Sequence, residues 1–130
     1  VSALLDTHIF FDLARGAEGA WVAELQDGPL LVSPMTAAEL GCLVRIGRLR
    51  FDEPVDRWFS RALAAMGAEL APMSAGLLAR SQVFPWSHRD PADRVLVQVT
   101  RETPGAVLYT RDREILALAA VESLAVRDCR

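Results

Sequence analysis

Apolar positions fall into two patterns along this chain. Short runs at 1–5, 30–32 and 106–109 are apolar almost throughout, as suits strands buried on both faces of a sheet. Weaker runs at 69–71 and 124–126 predict two more strands. Between them the apolar residues recur at helical spacing. Ile9 and Leu13, with Phe10, share one face after the first run. Ala92, Val95, Leu96 and Val99 stand at i, i+3, i+4 and i+7, so that helix buries a face. Trp58, Leu63 and Met66 mark another.

Helix ends carry their own chemistry. Ser33-Pro34 and Asp90-Pro91 each pair an N-cap residue with a proline at the first helical position. Ser74 caps a short helix running to about Val83, and Pro54 opens the Trp58 helix. Gly16 and Gly19 separate the first helix from a shorter one at 21–25. Gly47 and Pro104-Gly105 close two of the longer ones. Strands alternating with helices predict an α/β sandwich built on a mostly parallel sheet. The 130 residues fit one domain. In such folds the working site lies beyond the carboxyl ends of the strands.

That rule makes the acids informative. Asp6 directly follows the first strand, and Asp112 comes three residues after Tyr109 at the end of another. Glu39 and Asp93 lie early on the helices opened by Ser33 and Asp90. All four belong to one rim of the sheet. Gathered carboxylates repel one another, and desolvation adds to the cost. A hard divalent cation such as Mg²⁺ or Mn²⁺ removes that cost, and it can activate water against a phosphodiester. Each acid also has a structural reading. Glu39 follows Thr36 at capping-box spacing, Asp90 is an N-cap, Asp93 is a first-turn acid, and Asp112 caps its own helix. Asp6 is the hardest of the four to explain structurally.

Composition narrows the chemistry further. Hydrophobic residues are 52% and charged residues 24%, enough to fold around a core. The net charge of −3 does not announce a nucleic-acid binder. All 14 basic residues are arginine, which excludes lysine-dependent chemistry and still suits phosphate recognition. Cys42 and Cys129 stand in no motif, and Cys42, in an apolar stretch, reads as packing. No apolar run approaches the roughly 18 residues of a membrane span. The opening apolar stretch is brief and is interrupted by Asp6 and His8, so a cytoplasmic protein is expected.

Four segments resemble the PIN-domain ribonucleases, and within them the VapC-type toxins of bacterial toxin–antitoxin pairs. They are Leu4-Leu5-Asp6-Thr7-His8, Ser33 through Leu40, His88-Arg89-Asp90-Pro91-Ala92-Asp93-Arg94, and Thr110-Arg111-Asp112. Gaps of 33, 54 and 19 residues separate the four acids in that order. Ala92 departs from the family pattern, which often has an aromatic residue there. The resemblance implies a PIN-like three-layer sandwich with a five-stranded sheet flanked by helices. It implies Asp6, Glu39, Asp93 and Asp112 as catalytic and metal-binding acids for Mg²⁺ or Mn²⁺. It also implies an RNA substrate, a homodimer, and a VapB-type antitoxin covering the groove. Within the Asp90–Asp93 pair, Asp93 matches the catalytic position, and Asp90 would reach the metal through water.

Thr7 and Thr110 adjoin the acids and read as groups that orient them. Arg94, Arg111, Arg113, Arg45 and His88 are the RNA-binding candidates, with Arg48 and Arg50 extending the Arg45 cluster. His8 reads as structural, Trp86 as packing or a base-stacking platform, and Trp21, Trp58, Phe51 and Phe59 as core or dimer surface. A haloacid-dehalogenase-like phosphatase would need an aspartate where His8 stands, and a lysine. A dinucleotide site would need a glycine-rich turn after the first strand. The remaining alternative is a catalytically inactive PIN-like module that binds RNA or protein.

Overall fold

β1 (Ser2–Leu5), a mostly apolar strand whose last two residues are fully buried, is the centre of the sheet. β2 (Leu30–Val32) pairs with it on one side and β4 (Ala106–Thr110) on the other. β3 (Ala68–Leu70) and β5 (Val126–Asp128) are the edges, giving the order β3-β2-β1-β4-β5. Every pairing is parallel, so the expected mostly parallel sheet is wholly parallel. The computed structural model describes residues 2–25 and 28–130. Val1, read as part of the first strand, lies outside the described residues.

The pleat divides the core in two. Leu4 and Leu108 point to one face, against Val95, Leu96 and Val99 of α6 (Pro91–Glu102) and Ile115 of α7 (Arg113–Val121). Leu77 of α5 (Ala75–Val83) joins that layer. Leu5, Val32 and Tyr109 point to the other face. They meet Ile9 and Phe10 of α1 (Thr7–Ala14), Leu40 of α3 (Pro34–Arg45) and Phe59 of α4 (Val55–Met66). Trp21, on the short α2 (Ala20–Glu24), packs at its margin. The result is helix, sheet, helix: a three-layer sandwich. Each fully buried leucine contributes about 2 kcal/mol of hydrophobic stabilisation. Trp58 packs against the second core and stacks on Phe51, with ring centroids 4.4 Å apart.

The edge strands lie away from their predicted positions. β5 begins at Val126, two residues beyond the predicted 124, and β3 begins at Ala68, one residue before the predicted 69. Leu124 is buried in the first core but makes no ladder pairing; the pairing residues are Val126, Arg127 and Asp128. Arg127 is held to Glu24 and Asp128 to Arg130, so ion pairs mark this half-exposed edge instead of apolarity. Cys42 is exposed on α3 and Cys129 buried, so the packing role read for Cys42 is corrected.

Connections place the site. From β1 the chain moves outward to β2 and β3, then crosses back to β4 and β5. The carboxyl ends of β1 and β4 therefore flank the crevice where the winding reverses, the position at which parallel sheets bind ligands. The Asp6 backbone N–H donates to the Tyr109 carbonyl at 3.1 Å, which carries the pairing to that rim.

Candidate metal centre

Asp6 sits on this rim and is 6% exposed. Both its oxygens are held. Oδ1 accepts from the Thr7 backbone N–H at 2.7 Å, and Oδ2 accepts from the Thr110 hydroxyl at 2.6 Å. The first of these bonds makes Asp6 the N-cap of α1, so the acid that seemed to lack a structural role has one. The Thr110 hydroxyl also accepts from the Asp112 N–H at 3.0 Å. Asp112 in turn caps α7 through the Ile115 N–H. One threonine thus ties the two aspartates together.

The second threonine ties in Glu39. The Thr7 hydroxyl donates to Glu39 Oε1 at 2.5 Å and lies 3.2 Å from the Thr36 hydroxyl. The capping box read for Thr36 and Glu39 is corrected here. Ser33 is the N-cap of α3 and accepts from the Met35 N–H, so Thr36 is already inside the helix and Glu39 lies a turn further on. Glu39 is therefore free of the helix end and turns toward Thr7.

Asp93 lies in the first turn of α6, behind the N-cap Asp90, whose Oδ1 accepts from the Ala92 and Asp93 N–H groups. Asp93 Oδ2 meets His88 Nε2 at 2.7 Å. His88, Asp90 and Asp93 each offer a ligand atom within 4.8 Å of the others. His88, a candidate RNA contact, turns Nε2 to this acid. Arg94 is corrected: it is 6% exposed and donates to the backbone carbonyls of Ser81, Phe84, Trp86 and His88, so it is closed to RNA. Arg111 is paired with Asp12. Arg45 and Arg113 are exposed and have no carboxylate partner among the described residues.

Asp6, Glu39 and Asp93 feel their acidic neighbours. Burial pushes the Asp6 carboxyl above its usual range, with the Asp112 charge adding to the shift. Burial, then the charges of Asp6, Asp93 and Asp90, push Glu39 up to about 7 against the hydrogen bond from Thr7. Asp93 is pushed up to about 7 by burial and by Asp6, Asp90 and Asp112, against the hydrogen bond from His88. Six arginine ion pairs occur among the described residues, and all six go to other acids: Glu53, Glu102, Glu122, Asp12, Glu24 and Asp128. The cluster is left without an arginine of its own. Its donors are carboxylate oxygens, a set that suits a hard divalent cation. Beside it opens a cleft of about 370 Å³ lined by Thr7, His8, Met35, Glu39, Leu43 and Asp90.

A stability test follows from the raised carboxyls. Folding favours the neutral form of Glu39 and Asp93, so their contribution is complete below the ordinary values of 4.5 and 3.8 and is lost as pH rises through about 7. In EDTA the chain is expected to melt about 5–10 °C lower at pH 8 than at pH 5, a loss of a few kcal/mol. Calorimetry across that range checks it, and a melting temperature that climbs with pH would contradict the assigned directions.

An all-parallel five-stranded sandwich with an acid-lined rim at its winding reversal defines the class. The chain belongs to the PIN domain family, whose model matches residues 3–121. PIN domains are generally metal-dependent nucleases that bind RNA, and typically use divalent ions. No curated protein and no solved structure matches the chain significantly. No helix among the described residues is long and apolar enough to cross a membrane.

Proposed function

We propose that this chain is a VapC-type toxin: a ribonuclease that hydrolyses RNA phosphodiester bonds at Asp6, Glu39, Asp93 and Asp112 and is silenced by a VapB-type antitoxin. One observation carries the reading. Carboxylates on α3 and α6 and at the starts of α1 and α7 come into electrostatic reach, with Asp6 and Asp93 each coupled by charge to the others, while every arginine ion pair among the described residues forms elsewhere. Buried acids gathered without an arginine among them are costly to folding and point to a cation as their partner.

The four acids would hold Mg²⁺ or Mn²⁺, with Asp90 reaching it through water. A bound ion of this kind supplies Lewis-acid chemistry, activating water and neutralising the phosphodiester. The chain's own groups prepare for it. Thr110 and the Thr7 amide fix both oxygens of Asp6, and the Thr7 hydroxyl fixes one oxygen of Glu39. Hydroxyls in that position orient carboxylates that would otherwise swing apart. Arg45 and Arg113, exposed and without a carboxylate partner among the described residues, would meet RNA phosphates, and Arg111 would do so by leaving Asp12. The homodimer and the antitoxin rest on the VapC resemblance, and the cytoplasmic setting on the pattern of apolar runs.

Single-stranded RNA incubated with purified chain, freed of any co-purifying protein, provides the test. Cleavage is expected with Mn²⁺ or Mg²⁺ and none in EDTA. Undiminished cleavage in EDTA would rule out the metal mechanism. Absence of cleavage under both conditions would move support to a non-catalytic PIN-like module.

A further inference from the structure

Between α5 and α6 the chain runs from Phe84 to Asp90 without regular structure, so its carbonyls have no ladder or helix to satisfy them. Arg94 supplies the partners. Its Nε donates to the Ser81 carbonyl at 3.0 Å. One terminal nitrogen donates to Trp86 at 2.8 Å and His88 at 2.9 Å, and the other donates to Phe84. The Phe84 and Trp86 rings are stacked with centroids 5.8 Å apart, and the guanidinium lies 4.4 Å and 5.8 Å from those centroids. The loop is wound around one buried cation.

The residue at the end of that winding is His88, whose ring is tilted against Trp86 at 4.8 Å. Its Nε2 reaches Asp93 Oδ2, while Asp93 Oδ1 takes no hydrogen bond among the described residues. Two consecutive residues of α6 therefore divide the work: Arg94 organises the loop, and Asp93 receives what the loop presents.

We propose that Arg94 and His88 are positioning residues for Asp93, with Arg94 fixing the loop backbone so that His88 holds Oδ2 and leaves Oδ1 to a divalent cation. This rests on reading the four acids as a cation site. A carboxylate on a helix surface can rotate about two bonds, and one directed hydrogen bond removes much of that freedom. Partners of this kind, one bond removed from the metal, are worth about 10–100-fold in metal affinity. A loop histidine can serve only if its backbone is as fixed as the helix it faces, which is what the Arg94 bonds to the Phe84, Trp86 and His88 carbonyls provide.

The test compares wild type, His88→Ala and His88→Gln by Mn²⁺ titration in calorimetry, by melting temperature in EDTA, and by RNA cleavage at saturating Mn²⁺. The alanine variant is expected to weaken Mn²⁺ binding about 10–100-fold with an unchanged KM for RNA. Glutamine, whose amide nitrogen can donate from near the Nε2 position, is expected to recover most of the loss. Unchanged Mn²⁺ affinity in His88→Ala overturns the proposal, and a raised KM in that case returns His88 to RNA contact. Equal loss in both variants overturns the hydrogen-bond basis. A melting temperature lowered in EDTA without a change in Mn²⁺ affinity assigns His88 to folding alone and also overturns it. A wild type that binds no Mn²⁺ overturns the four-acid reading itself, and this proposal with it.

Discussion

Replacing Asp6 with asparagine is expected to lower RNA cleavage about 10³-fold while leaving the metal-free chain as stable as before, or more so. The two effects separate because Asp6 has two jobs. As N-cap of α1 it needs only a side-chain oxygen facing the Thr7 N–H, and asparagine supplies one as well as aspartate does. At its other oxygen the amide NH₂ can donate to the Thr110 hydroxyl, reversing the present bond. What asparagine cannot supply is charge. Burial already pushes the Asp6 carboxyl upward, so a neutral group at this place is easier to fold and useless to a cation. Single-turnover cleavage and a melting curve in EDTA measure the two jobs on one sample. Cleavage retained within tenfold would remove Asp6 from the chemistry, and a melting temperature several degrees lower would show that the Asp6 charge and its bond from Thr110 stabilise the fold.

The other large effect is on stability. Arg94→Met is expected to cost about 3–5 kcal/mol, because four carbonyls that now share one guanidinium lose their partner together. For a domain of this size that is a fall of about 10–20 °C in melting temperature. Arg94→Lys is expected to rescue little. An ammonium has three donors on a flexible stem, lacks the planar fork that spans these carbonyls, and keeps a charge to bury. Circular dichroism melts of both variants check this. A loss below about 1 kcal/mol would mean that water replaces the arginine, and that the loop is held by its aromatic stack.

What the sequence discloses depends on how local the cause is. Ser33-Pro34 and Asp90-Pro91 start helices by chemistry contained in two or three residues, and both helices begin where those pairs predict. The central strands announce themselves because burial on both faces leaves no room for polar residues. The edges do not: β5 consists of Val126, Arg127 and Asp128, and the apolar Leu124 before it attracts the prediction. The rim acids can be singled out because each follows a strand or lies in the first turns of a helix. Their partners cannot. Arg94 looks like a surface arginine beside an acid, since nothing in the sequence signals that the carbonyls of a nearby loop are waiting for it. Thr36 precedes Glu39 at the spacing of a cap, and only the helix start at Ser33 shows that spacing to be coincidental.

The position of β1 has a consequence for the order of events during synthesis. Of the sheet's five strands, the first to be synthesised is the middle one, flanked by a strand about 25 residues on and another about 100 residues on. The bond from Thr110 to Asp6 joins residues 104 apart. Until β4 has been made, β1 has one bare side, Asp6 has no threonine behind it, and Asp112 does not exist. Long-range pairing of this kind is slow and comes late in folding. A nascent chain therefore carries its acids scattered, and the rim closes only when almost everything else is in place.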